Sequence, residues 1–142
     1  MIIIGELINA SRKAIKAAIE AGDAAAIQKV ALDQAAAGAD YIDVNAGIFV
    51  GKEPEYLKWL VETVQAAVDK PCAIDSPDPA AIEAALAVHK GTPMINSISL
   101  EKERFDKLMR KLRLEHLDIQ CGTNWQRPLV NFFARRARRM RR

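Results

Sequence analysis

Four short apolar runs in this chain each end on polar groups that can hold a ligand. "MIIIGELIN" closes with Glu6 and Asn9, and "YIDVN" with Asp43 and Asn45. "PCAIDS" closes with Asp75 and Ser76, and "PMINS" with Asn96 and Ser97. Cys72, Ala73 and Ile74 run into Asp75 with no polar lead-in, and a carboxylate at the end of a buried strand needs a partner. One such acid reads as a helix cap or a satisfied core group. Four successive strand ends, each with a carboxylate or a carboxamide, read as one ligand site at the carboxyl ends of parallel strands. No strand end carries a histidine, which disfavours a histidine metal site, and no bound metal is expected. There is no Ser-His-Asp set and no glycine loop of the phosphate-binding kind. What is left is carboxylates, which accept, and carboxamides, which both donate and accept. That set suits a flat heterocycle with adjacent N–H donors, because a carboxylate can take two parallel N–H bonds from an amino-amidine edge.

The elements that must position these groups alternate. Ile2, Ile3 and Ile4 begin a β-branched strand. "SRKAIKAAIEAG" follows as a helix with Ser11 as N-cap and Gly22 as stop, and "DAAAIQKVALDQAAAG" as a second from Asp23 to Gly38. In the second, Ile27, Val30, Ala31 and Gln34 share one face. "EPEYLKWLVETVQAAVDK" places Leu57, Leu60, Val61, Val64 and Val68 on an apolar stripe and leaves Tyr56 and Trp59 off it, either as an exposed partner surface or packed on a neighbouring helix. "DPAAIEAALAVHKG" is a helix with Asp78 as N-cap, Pro79 at its first position, Gly91 as stop and His89 in its last turn. "LEKERFDKLMRKLRL" is the helix after the fourth strand. The order β(αα)βαβαβα predicts an α/β fold of parallel (β/α) units with both sheet faces covered.

At 142 residues, half of them hydrophobic, the chain is long enough for a packed core. It has no apolar run of membrane-spanning length and no basic segment leading into an apolar signal core, so a cytoplasmic protein with no membrane partner is expected. Cys72 and Cys121 make neither a disulfide framework nor a zinc spacing. Charge divides the chain. Residues 1–101 hold eight basic and fourteen acidic side chains, whereas 102–142 hold thirteen basic and four acidic. The last nine residues, "ARRARRMRR", include six arginines. The (β/α) rhythm fades after Leu114, where "PLVNFFA" is at most a short strand. The expected division is a (β/α) unit over 1–114 and an Arg-rich irregular tail, disordered or frameshifted, over 115–142. Arginine neutralises phosphates, so the tail suits non-specific contact with nucleic acid; a basic-tailed nucleic-acid-binding protein is a rival reading.

"MIIIGELIN", "YIDVNAG", "CAIDSP" and "MINSIS", in this order and spacing, resemble the methyltetrahydrofolate:corrinoid protein methyltransferases. That family belongs to the pterin-binding group that also contains dihydropteroate synthase. The resemblance covers about residues 1–108 and implies the N-terminal half, about four strands, of a TIM-barrel-like pterin-binding fold. It implies tetrahydrofolate or methyltetrahydrofolate as substrate, with the N5-methyl passing to a corrinoid (cobalamin) on a partner protein. It implies that Asp75 holds the pterin's amino-pyrimidinone edge, that Asn96 bonds the ring beside it, and that Asp43 and Asn45 line the pocket. Glu6 and Asn9 fall at its floor or rim. The family's later strands supply another pterin-binding acid and the Asn that assists N5 activation, and no position here matches them. Methyl transfer is therefore expected to need a second half, and a non-catalytic pterin-binding or dihydropteroate synthase-like protein is the alternative. Open sheet edges predict a homodimer or self-association.

Overall fold

The computed structural model describes residues 1–96 and the strand pair 120–121. Within them, five parallel strands form one sheet in the order β1-β2-β3-β4-β5. They are β1 (Ile4–Asn9), β2 (Tyr41–Asn45), β3 (Cys72–Asp75), β4 (Met94–Asn96) and β5 (Gln120–Cys121). Helices α1 (Lys13–Ala21) and α2 (Ala24–Ala36) join β1 to β2, α3 (Glu53–Ala67) joins β2 to β3, and α4 (Pro79–Leu86) joins β3 to β4. Each strand lies beside its predecessor. Right-handed crossovers in that order put helices α1 to α4 on one face and leave the other as the inner face of a (β/α) barrel wall; a doubly wound sheet would reverse its order.

Alternation along the strands separates the two faces. Ile8, Ile42, Val44, Cys72, Ile74 and Ile95 are fully buried and pack in one cluster with Leu57, Leu60, Val61 and Val64 of α3. Burial pushes the Cys72 thiol up to about 12, with the Asp43 charge adding to the effect, so it behaves as a small apolar side chain. Asp23 caps α2 by accepting the Ala26 N–H at 3.0 Å, and Asp78 caps α4 by accepting the Ala80 N–H at 2.9 Å. Gly22 ends α1 in the left-handed conformation, φ 65°.

Two local expectations are corrected, and one open between two readings is decided. Ser11 does not cap α1: the cap position is Arg12, without a side-chain bond, because the Ser11 N–H is turned back onto Asn9 Oδ1 at 2.9 Å. Helix α4 ends at Leu86, five residues before Gly91, so His89 lies beyond it. There its Nε2 accepts the Cys72 N–H at 2.9 Å, and burial lowers its pKa, so it is a neutral strand-start acceptor rather than a cation on a helix dipole. Tyr56 and Trp59 are half-buried against the core, and Tyr56 meets Phe49 edge-on with ring centroids 4.6 Å apart. Strand β5, paired in register with Met94 and Ile95, falls where the rhythm of the sequence had faded. Ser97, the helix expected over 100–114 and the rest of the tail lie outside the described residues.

A bulge in β1 sets which of its side chains face inward. Gly5 pairs with Ile42 and Ile8 with Val44, so two residues of β1, Glu6 and Leu7, oppose one of β2, Asp43. The Leu7 N–H released by the bulge is taken by Gln34 Oε1 at 2.8 Å, from the buried face of α2. Gly5 makes room for that amide: a Cβ there would stand 2.6 Å from Gln34 Oε1 and 3.0 Å from Gln34 Cβ. Gly5→Ala is expected to cost about 1–3 kcal/mol in urea unfolding, as overpacking does. The cost should shrink in a Gln34→Ala background, since the two changes share one contact; equal costs in both backgrounds would mean the contact is not the cause.

Candidate functional site

The parallel register brings the strand-end groups into one row. Asn9 pairs with Asn45, Asn45 with Asp75, and Asp75 with Asn96, so all four side chains leave the sheet on the same face at the same level. At strand spacings of ~4.8 Å the row spans roughly 14 Å. Asp43 sits one step lower on β2, level with Ala73 and facing the same way.

Two hydrogen bonds knit these groups across strands. Asn45 Nδ2 donates to Asp75 Oδ2 at 2.9 Å, and Asn96 Nδ2 donates to Asp43 Oδ2 at 3.0 Å. The second passes from β4 to β2, across the level of β3 where the side chain is only the methyl of Ala73. Among the described residues each carboxylate has one oxygen bonded by an amide, which leaves the other oxygen and the second lone pair of the bonded one for water or a ligand. Asn45 is fixed from its other end, since its Oδ1 accepts the Gly47 N–H at 3.0 Å. Asp75 and Asn96 are half-buried at the rim, whereas Asp43 is 3% exposed. Burial raises the Asp43 pKa from 3.8 to about 7; the Asn96 bond opposes the rise, and the charges of Asp75 and Glu6 add to it. Near neutral pH this carboxyl is therefore present in both forms and can donate as well as accept.

The other candidates fall around this centre. Glu6 is exposed on β1 within electrostatic reach of Asp43. Asn9 stands in the row, but its Oδ1 is engaged by the Ser11 N–H. Ser76 is buried and turned the other way, its hydroxyl donating to Glu53 Oε1 at 2.5 Å, so it does not join the row. Glu53 was not singled out in the sequence, because it looks like an ordinary first-turn acid of α3. Gln34 left one trace, an amide on an otherwise apolar helix face.

The unfolded chain releases the Asp43 proton near 3.8, and the folded chain keeps it to about 7. Stability from holding that proton is full below 3.8 and is lost as pH rises to about 7. Asp43→Asn keeps an acceptor for Asn96 and removes the ionisation. It should match the wild type at pH near 4 and exceed it at pH near 8 by about 2 kcal/mol in urea unfolding, allowing for water at the open face. The difference between the two proteins also cancels the opposite slope from His89, whose lowered pKa makes stability rise with pH. A constant difference across that range would contradict the assignment.

Comparison with known proteins agrees with this geometry. A family model described as pterin binding enzyme matches residues 5–128. The chain is 46% identical over 109 residues to a methylcorrinoid:tetrahydrofolate methyltransferase of Eubacterium limosum. That match covers 77% of this chain and 40% of the relative, so the chain spans well under half the length of the relative.

Proposed function

The chain belongs to the pterin-binding enzymes, and from that premise we propose that its strand-end row binds the amino-pyrimidinone edge of a reduced folate in a corrinoid-dependent methyltransferase. The observation that carries this is the pair of amide-braced carboxylates at adjacent strand ends. Asp75, held by Asn45 and half-exposed, accepts the exocyclic amino group and the neighbouring ring N–H in parallel. Asn96, whose amide N–H donates to Asp43, presents its carbonyl oxygen to the ring beside that edge. Asp43 beneath them holds the Asn96 amide in place.

The relative is named for transfer from a methylcorrinoid to tetrahydrofolate. Transfer from the N5-methyl of methyltetrahydrofolate to a corrinoid is the same step reversed and uses the same pterin pocket. The corrinoid carried on a partner protein, the methyl exchange and any dimer belong to this proposal for the whole enzyme. Residues 1–96 supply binding and orientation: they hold one edge of a flat ring so that its opposite side faces the open mouth of the barrel wall. Among these residues no group is assigned to making N5 electrophilic, a step that proton donation or a hydrogen bond at the transition state must provide.

Calorimetric titration with tetrahydrofolate tests the reading. Asp75→Ala is expected to weaken binding by about 2 kcal/mol or more, the loss of a charged hydrogen-bond acceptor. Unchanged affinity in a folded Asp75→Ala variant would overturn it.

A further inference from the structure

Glu53 is the first residue of α3, yet it is only 8% exposed. A first-turn acid gains from the helix dipole while facing solvent; this one turns toward the strand ends. Its Oε1 accepts the Ser76 hydroxyl at 2.5 Å, and Ser76 Oγ accepts the Asp78 N–H at 3.0 Å. The Ser76 N–H itself donates to the Asn96 carbonyl at 3.1 Å. A Cβ on Gly47 would lie 3.8 Å from Glu53 Oε1 and 3.5 Å from Asn45 Oδ1. One buried hydrogen-bonded pair thus lies beside the turn after β2, holds the peptide after Asp75 and, through a single bond, reaches the end of β4.

We propose that Glu53 and Ser76 are positioning residues, whose hydrogen bond fixes the peptide after Asp75 and thereby holds the Asp75 carboxylate against Asn45. The inference rests on the reading of Asp75 as the pterin-edge acceptor. Successive side chains of a strand leave on opposite faces, so anchoring Ser76 toward the helices sets the direction in which Asp75 leaves the sheet. A carboxylate already held in its binding direction loses less freedom when the ligand arrives. The pair therefore acts on affinity through Asp75 and Asn45, without touching the ligand.

The test combines calorimetry with tetrahydrofolate and proton–nitrogen NMR of the ligand-free protein, following the Asn45 side-chain amide that donates to Asp75. The variants are Ser76→Ala, Glu53→Ala and Glu53→Gln, beside Asp75→Ala. Ser76→Ala and Glu53→Ala are each expected to weaken binding about tenfold, the effect of one lost charge-assisted bond, and to shift the Asn45 amide resonances. Glu53→Gln keeps an acceptor oxygen for the Ser76 hydroxyl and should rescue both readouts relative to Glu53→Ala. Wild-type affinity with unmoved Asn45 resonances in Ser76→Ala would overturn the proposal. So would a folded Glu53→Gln that behaves like Glu53→Ala. If Asp75→Ala alone leaves affinity intact, the pterin reading fails, and the Asn45 resonances still decide whether the pair positions Asp75.

Discussion

Two carboxylates, Asp43 and Asp75, stand on one face of a parallel sheet, Asp75 braced by an amide from the adjacent strand and Asp43 by one from the next strand but one. Most of the molecule answers to that arrangement. The register must put Asn45 level with Asp75 and Asn96 level with Asp75, because a slip of one residue would send each side chain to the helix face. That register is held by the opposite face, where Ile42, Val44, Ile74 and Ile95 are buried under the helices. The same alternation that drives burial on one side delivers polar groups on the other. Packing supplies the stability, and the row of acids and amides draws on it: Asp43 ionises against its burial, a cost that would be removed by an amide at the same place.

The bulge in β1 extends this logic. In an unbulged strand Glu6 and Asn9, three residues apart, would fall on opposite faces. With the bulge, Asn9 joins the row while Glu6 comes within electrostatic reach of Asp43. The device requires a helix amide, Gln34, and a residue without a side chain, Gly5, at the same spot. The start of β3 is held in a comparable way from the other end of the sheet, by the neutral ring of His89 on the Cys72 N–H and by Gln65, whose amide bridges to the Lys90 carbonyl at 2.9 Å. The lower end of the sheet is thus a place of structural hydrogen bonds, and the upper end is where free acceptors remain.

Much of this was legible in the sequence because burial writes a period. The apolar stripe of α3 from Leu57 to Val64, and the runs ending at Asn45, Asp75 and Asn96, follow from which side must be dry. Asp23 and Asp78 were legible as caps because a short acid before an apolar helix has few other uses. Other features depended on contacts between segments distant in sequence. A bulge has no composition of its own; it exists because Gln34 meets Leu7 across α2 and β1. Ser76 looked like a site residue by its place after Asp75, but only the position of Glu53 on another helix decides which way it turns. Helix α4 stops early because the chain must bring His89 to Cys72, a constraint invisible in a run of good helix formers. The resemblance to pterin-binding methyltransferases was carried by the strand ends, and the family match extends through residue 128, well into the basic segment.

The account turns on whether Asp75 and its neighbours read an amino-pyrimidinone edge, rather than any flat ring. The most direct measurement compares, by calorimetry, pterin as the bare bicyclic headgroup with the analogue in which the exocyclic amino group is replaced by oxygen. A carboxylate bound to two parallel N–H groups loses both one bond and its charge match when that amino group becomes an acceptor. The analogue is expected to bind about a hundredfold more weakly or worse, as for buried polar groups left without their partner. Equal affinity for the two rings would contradict it.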